Sequence, residues 1–115
     1  MSKDAWFSLA ILAAAILAEV CATVSLKLTD GFSRPWPLIA VVVGYGLAFW
    51  LLSIVLQRLP IGIVYGIWAG LGIAGVALVG AIVFDEPVGP REWLGFGLVI
   101  AGAALLATRA ADATP

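Results

Sequence analysis

Apolar residues dominate four segments of the chain, and short polar breaks separate these segments. They cover residues 5–28, 38–56, 61–84 and 93–107. Each approaches the ~20 residues that a helix needs to cross ~30 Å of hydrocarbon. Within lipid, every backbone polar group must be paired inside the protein, and these segments are longer than the ~10-residue strands of a membrane barrel. The pattern therefore predicts an all-α integral membrane protein with four transmembrane helices, embedded in the lipid bilayer.

The composition supports a membrane protein and excludes several other classes. The 115 residues are 63% hydrophobic and 11% charged, against ~25% charged in an average soluble domain. The breaks are too short to hold a second domain, so residues 1–115 are predicted to form a single transmembrane domain. A net charge of −1 gives no reason to expect a nucleic-acid partner. Histidine is absent and Cys21 is the only cysteine, so no metal site is expected.

Glu19 is the residue around which the rest of the chain makes sense. It lies near the middle of the first apolar segment, where a charged side chain costs roughly 2.5–3.5 kcal/mol on insertion scales and is rarely present without a function. One helical turn away, the small Ala15 and Ala22 leave space beside it, and Thr23 can donate a hydrogen bond to it. In a dimer, two such carboxylates could share a site and exchange protons for a cation. We therefore predict that Glu19 binds protons and substrate.

Aromatic residues inside the spans suggest what kind of cation is bound. Tyr65 and Trp68 are three residues apart and so share one helical face. An aromatic ring attracts an organic cation by about 2 kcal/mol when the site is desolvated. Together with one nearby carboxylate, these rings predict a pocket for a lipophilic cation.

Glycines are concentrated in the third span. The run Gly70-Leu71-Gly72-Ile73-Ala74-Gly75 matches the dinucleotide fingerprint, but no strand precedes it and no βαβ unit surrounds it, so this function is rejected. Glycines here would instead permit close helix packing or a kink. The four-residue repeat of Gly62, Gly66 and Gly70 predicts one smooth contact face. Gly95 and Gly102 predict another in the fourth span, suited to self-association.

The basic residues do not favour one orientation in the membrane. Three of them lie on one side (Lys3, Arg58, Arg109) and three on the other (Lys27, Arg34, Arg91). Orientation follows the Lys and Arg bias of short loops, and here that bias is zero. We therefore predict dual topology. Four helices are also few to enclose a polar pathway, and two copies in opposite orientations would resemble the inverted repeats of larger transporters.

Several local sequences together resemble the small multidrug resistance family of proton-coupled exporters. They are Leu17-Ala18-Glu19-Val20, Trp36-Pro37, Phe49-Trp50-Leu51-Leu52, the run from Pro60 to Gly72, and Asp85-Glu86-Pro87. The resemblance extends over nearly the whole chain. It implies an antiparallel homodimer in the bacterial inner membrane, with protons as the coupling ion and no other cofactor.

The resemblance also implies roles for individual residues. Glu19 of both copies would bind protons and cationic substrate in competition. Tyr65 and Trp68 would line the pocket with Tyr45 and Trp50 nearby. The third helix would be kinked at Gly70 and Gly72, and the fourth helix, which carries Gly95 and Gly102, would hold the dimer together.

Within this family, the position three residues after the carboxylate separates two branches. The guanidinium-exporting branch usually has tryptophan there, whereas this chain has Ala22 followed by Thr23, as in the quaternary-ammonium branch. We therefore expect export of lipophilic and quaternary ammonium cations. Two alternatives remain: a guanidinium exporter of the same family, or an accessory subunit that supports a different homologue without transporting alone. An enzyme is not expected, because one central ionisable residue provides no nucleophile–base pair.

Overall fold

Four long helices account for most of the chain in a computed structural model, which describes residues 3–113. They are α1 (Lys3–Leu28), α2 (Pro37–Leu56), α3 (Ile61–Val83) and α4 (Pro90–Ala113). All four are long and apolar enough to cross a membrane, and the described residues contain no strand. The predicted fold class, an all-α protein with four transmembrane helices, is confirmed. Residues 1, 2, 114 and 115 of the predicted domain lie outside the described part.

The end of α1 is fixed by a turn that the sequence break at residue 29 anticipates. Thr29 donates its hydroxyl proton to the carbonyl oxygen of Leu26 at 2.7 Å and accepts the backbone N–H of Phe32 at 3.2 Å. Asp30, Gly31 and Phe32 follow with φ of 49°, 67° and 67°. This left-handed path cannot continue a right-handed helix. It turns the chain towards the start of α2.

The fourth helix is longer than the predicted 93–107 at both ends. It begins at Pro90, a residue suited to the first helical position, and the N–H of Gly89 is satisfied by the carboxylate of Glu92, as in one half of a capping box. At the other end, the alanine-rich residues 107–113 favour the helix. The apolar run, and with it the predicted span, ends at residue 107. Helix propensity extends α4 to Ala113.

The helices form a thin slab rather than a closed bundle. α1 packs mainly on α2 and α3 mainly on α4, while α1 also contacts α3 and α4. The extents are 48 × 35 × 18 Å, so the thin direction holds about two helices of ~10 Å diameter. The core is formed by α1, the end of α2, the start of α3 and the end of α4. It contains Leu12, Ile16, Leu52, Val55, Leu59, Val64, Ile67 and Ala110. Many large apolar side chains of the four helices are exposed on the protomer.

Small residues let the helices approach closely at two interfaces. A Cβ atom added to Gly44 of α2 would lie 2.8 Å from the Cβ of Ala22 and 3.1 Å from the carbonyl oxygen of Ala18. A Cβ added to Gly70 of α3 would lie 2.9 Å from the Cβ of Ala103 in α4. Gly66, four residues before Gly70, meets Leu106 in the same way, but Gly62 faces open space. The predicted contact face of α3 is confirmed for two of its three glycines.

Candidate functional site

Glu19 lies on the face of α1 that meets α3. Its neighbour across the interface is Gly72, where an added Cβ would come 3.2 Å from the carboxylate Oε2. The side chain is partly buried, and among the described residues its Oε2 atom is buried without a hydrogen-bond partner. Such an atom is unusual, since buried polar groups are nearly always paired. This oxygen atom of Glu19 is therefore not engaged by the part of the chain that the structure describes.

The other oxygen of Glu19 is held by a chain of hydrogen bonds. Thr23, one turn further along α1, donates its hydroxyl proton to Oε1 of Glu19 at 2.9 Å. The Thr23 hydroxyl also lies 2.6 Å from the hydroxyl of Tyr45 in α2. Because a threonine hydroxyl has a single proton, Tyr45 is the donor to Thr23 whenever Thr23 donates to Glu19. The chain links α2 to the carboxylate, and it confirms the predicted contact between Thr23 and Glu19.

A cavity of about 340 Å³ lies beside the carboxylate. Its walls come from α1, α3 and α4, and the residues that line it are Glu19, Thr23, Gly72, Ile73, Val76, Ala77 and Phe96. The walls are apolar except for the Glu19 and Thr23 side chains. Phe96 of α4 adds an aromatic side chain to the cavity wall. The sequence does not reveal this position, because nothing in its spacing links Phe96 to Glu19.

Three aromatic rings form a stack next to this hydrogen-bond chain. The rings of Tyr45 and Phe49 have centroids 6.2 Å apart with an interplanar angle of 22°. The rings of Phe49 and Trp68 are 5.9 Å apart at 15°. Phe49 thus connects α2 to α3. The sequence predicts Tyr45 and Trp68, but not Phe49, as pocket residues. The four-residue spacing between Tyr45 and Phe49 could have indicated that the two rings share a helical face.

The other predicted pocket residues are not part of the cavity wall in a single protomer. Tyr65 and Trp50 are 63% and 61% exposed, so they lie on the open surface of the slab. Ala15 and Ala22 are fully buried, and Ala22 packs against Gly44. The small size of Ala22 serves helix packing in this structure, and its assignment to the substrate pocket stays a prediction.

The glycines singled out in α3 and α4 have different surroundings. Gly70 faces α4 and Gly72 faces Glu19 of α1. The two glycines therefore allow α3 to pack closely against both helices. The kink expected at these residues stays a prediction. Gly95 and Gly102 face open space on the protomer, and their place in a dimer contact stays a prediction too. Within residues 3–113, no three His, Cys, Asp or Glu side chains are grouped closely enough to hold a metal ion.

Comparison with known proteins places the chain in a family. The profile of the Small Multidrug Resistance protein family matches residues 5–99. The chain belongs to this family. It is therefore a multi-pass protein of the bacterial inner membrane that acts as an efflux transporter, and it is not an enzyme.

Individual relatives agree with this assignment. A multidrug transporter of Pseudomonas aeruginosa is 55% identical over 91 residues, which are 79% of this chain and 83% of the relative. The quaternary ammonium compound-resistance protein QacF of Klebsiella aerogenes is 45% identical, over 83% of this chain and 86% of its own. The multidrug resistance protein EbrB of Bacillus licheniformis is 41% identical, over 89% and 86%. The expected family and its quaternary-ammonium and multidrug branch are confirmed.

Proposed function

We propose that this protein exports lipophilic and quaternary ammonium cations in exchange for protons, and that Glu19 of two antiparallel copies forms the shared binding site. The observation that carries the proposal is the Oε2 atom of Glu19, which is buried next to a cavity and has no hydrogen-bond partner within residues 3–113. An ionised carboxylate in a low-dielectric environment needs a compensating charge. Either a bound cation or a proton meets that need.

The competition between these two ligands is the basis of exchange. A proton on the carboxylate removes the negative charge that attracts the cation, and a bound cation favours the ionised carboxylate. Binding of one ligand therefore promotes release of the other. When the site faces the two sides of the membrane alternately, outward export of a cation is coupled to inward movement of protons.

The hydrogen-bond chain suits a site with two occupants. Thr23 donates to Oε1 and Tyr45 is linked to that oxygen only through Thr23, which leaves Oε2 as the atom where a proton and a cation would replace one another. When a proton is on Oε2, Oε1 is still an acceptor, so Thr23 can donate to it as before. The hydrogen bond from Thr23 is therefore compatible with both the protonated and the ionised form of Glu19.

A second protomer would complete the pocket. The slab is open beside Glu19, and Tyr65 and Trp50 are exposed on it. Aromatic faces at this position would provide cation–π attraction to the substrate once they are covered by a partner and removed from water or lipid. An antiparallel copy would also supply the second Glu19. The expected homodimer therefore explains both the open cavity and the exposed aromatic residues.

The test is uptake by liposomes that contain the purified protein and carry a pH gradient. We expect the gradient to drive uptake of tetraphenylphosphonium more strongly than uptake of guanidinium. We also expect calorimetric affinity for tetraphenylphosphonium to weaken as the pH falls, because protons occupy the same carboxylates. A preference for guanidinium would favour the alternative substrate branch, and the absence of any gradient-driven uptake would favour an accessory role.

A further inference from the structure

A second carboxylate near the end of the bundle already binds a cation, which is the protein's own lysine. The ammonium group of Lys27 at the end of α1 forms an ion pair and hydrogen bond with the carboxylate of Glu86 in the α3–α4 connection. The same ammonium group lies 4.8 Å from the centroid of the Phe84 ring. In the sequence Lys27 and Glu86 are 59 residues apart, and no pattern links them. The structure instead assembles a carboxylate and an aromatic face around one positive charge.

The position of Glu86 does not depend on Lys27 alone. The backbone N–H of Glu86 donates to the carbonyl oxygen of Gly80 at 3.1 Å, and its carboxylate folds back over Gly80. A Cβ atom at Gly80 would collide with the Oε1 atom of Glu86, so this placement requires glycine. Since the backbone hydrogen bond fixes Glu86 at the end of α3, its side chain still lies at the cavity that Phe84 also lines when the lysine moves away.

The lysine is free to move. The side chains of Lys27 and Glu86 are 52% and 48% exposed, and exposed ion pairs of this kind are screened and contribute little to stability. The Lys27 side chain is long and flexible. Its ammonium group can therefore leave the carboxylate for water without disturbing the packing of the helices.

This cluster is next to the proposed transport site. A cavity of about 150 Å³ is lined by Thr23, Val24, Lys27, Val76, Gly80, Phe84 and Glu86. Two of these residues, Thr23 and Val76, also line the cavity beside Glu19. A cation held at Glu86 is thus separated from the Glu19 cavity by side chains that line both cavities.

We propose that Phe84 and Glu86 form a peripheral binding site for a quaternary ammonium headgroup, which displaces the Lys27 ammonium before it moves on to Glu19. An aromatic face beside a carboxylate is the environment that such headgroups prefer. A negative site at the mouth of a cavity also raises the local concentration of cations. The proposal rests on the proposed function, because it describes how the exported cations are captured or released.

The experiment is an NMR titration of the purified dimer in bicelles with tetramethylammonium. All proteins carry Glu19→Gln, so that binding at the central site is removed, and the amide signals of Gly80, Phe84 and Glu86 are followed. Lys27→Met removes the competing ammonium group, and we expect it to tighten binding at least about three-fold. Adding Glu86→Gln to Lys27→Met removes the attracting charge, and we expect these shifts to disappear.

Matched variants separate a local site from general charge effects. Arg34→Met removes one positive charge on the same side of the membrane, and Asp85→Asn removes the negative charge next to Glu86 in a residue type that accepts its φ of 53°. Gly80→Ala displaces the Glu86 carboxylate without any change in charge, and we expect it to weaken binding. The proposal is overturned if Arg34→Met tightens binding as much as Lys27→Met, or if Asp85→Asn weakens it as much as Glu86→Gln.

The outcome is independent of transport. The titration measures binding to a protein that lacks Glu19, so a failed liposome experiment on the wild-type protein would not change it. Conversely, gradient-driven uptake by the wild-type protein together with no tetramethylammonium shifts at Phe84 and Glu86 would support the proposed function and reject the peripheral site.

Discussion

Glu19 and Glu86 are two carboxylates whose negative charges are compensated in different ways. Glu86 is about half exposed, and the protein supplies its counter-charge through Lys27. Glu19 is partly buried in a span, and the protein supplies only the hydroxyl of Thr23 to one of its oxygens. The carboxylate in the more costly environment is thus the one that is left incompletely paired.

The difference indicates where a ligand contributes most. A built-in lysine satisfies Glu86 at rest, so an external cation can only replace it, and the net gain is small. At Glu19 an external cation or proton meets an otherwise unpaired oxygen in a low-dielectric site, where electrostatic interactions are much stronger than in water. We therefore expect changes at Glu19 to affect transport far more than changes at Glu86.

The largest expected effect follows from neutralising the central carboxylate. Glu19→Gln keeps the size of the side chain but cannot cycle between a charged and a neutral form, so we expect gradient-driven uptake of tetraphenylphosphonium to be abolished. Glu86→Gln should reduce uptake only in part. Crosslinking checks that both variants remain dimers. Wild-type uptake by Glu19→Gln would show that the two carboxylates do not differ in the proposed way.

A topology experiment sharpens the comparison further. In an antiparallel dimer the two Glu19 residues meet at one site, whereas the two Glu86 residues lie at opposite membrane faces. Two added lysines beside Arg58 should hold that loop in the cytoplasm, and two beside Arg34 should fix the reverse orientation. We expect each biased protein alone to lose most of its activity, and co-expression of the two to restore it.

The readouts are resistance to a quaternary ammonium compound and the location of a reporter fused to the C-terminus. A wild-type C-terminus on one side of the membrane only, together with full activity of each biased protein alone, would contradict dual topology.

An intermediate effect is expected when the hydrogen bond to Glu19 is removed. The Thr23 hydroxyl fixes the orientation of the Glu19 carboxylate, so Thr23→Val should leave the carboxylate less well placed and weaken binding of a quaternary ammonium ion by about ten-fold, or about 1.4 kcal/mol, in calorimetry at alkaline pH. Thr23→Ser is the matched control, because it retains the hydroxyl that bonds Glu19 and Tyr45. Equal affinities of the valine and serine variants would mean that the hydrogen-bond chain has no part in cation binding.

The smallest effect concerns the aromatic residues. Trp68→Ala and Tyr65→Ala should each weaken binding of tetraphenylphosphonium by about 1 kcal/mol, roughly five-fold, through loss of cation–π attraction. The loss for guanidinium, which covers less of a ring, should be smaller. Equal losses for both cations would indicate that these residues stabilise the helices, as the stacking of Trp68 on Phe49 does, rather than the ligand.

Helical periodicity explains why part of the site was predictable. Thr23 is four residues after Glu19, and this spacing alone places the two side chains on one face of α1, where they form a hydrogen bond. Glu19 itself was identified by its cost in an apolar run. The four-residue spacing of Gly66 and Gly70 likewise anticipated a helix contact. Each of these inferences uses only residues of a single helix.

Contacts between helices were not predictable in the same way. Tyr45 is 22 residues from Thr23 and Glu86 is 59 residues from Lys27, and no periodicity relates residues on different helices. The position of Phe96 beside Glu19 also depends on how α4 lies against α3. Such contacts are set by the rotation and axial offset of each helix, which result from packing along its whole length.

The sequence by itself determined the membrane class, the four helices and the position of a carboxylate inside the first of them, because hydrophobicity and helix spacing act locally along the chain. Only the tertiary structure decided that Thr23, itself bonded to Tyr45, donates to Oε1 of Glu19, while Oε2 lies beside Gly72 with no hydrogen-bond partner among the described residues. It also decided that the Lys27 ammonium group pairs with the Glu86 carboxylate and lies over the Phe84 ring. These arrangements depend on which small residues allow helices to approach, and that is a property of pairs of surfaces rather than of a sequence pattern.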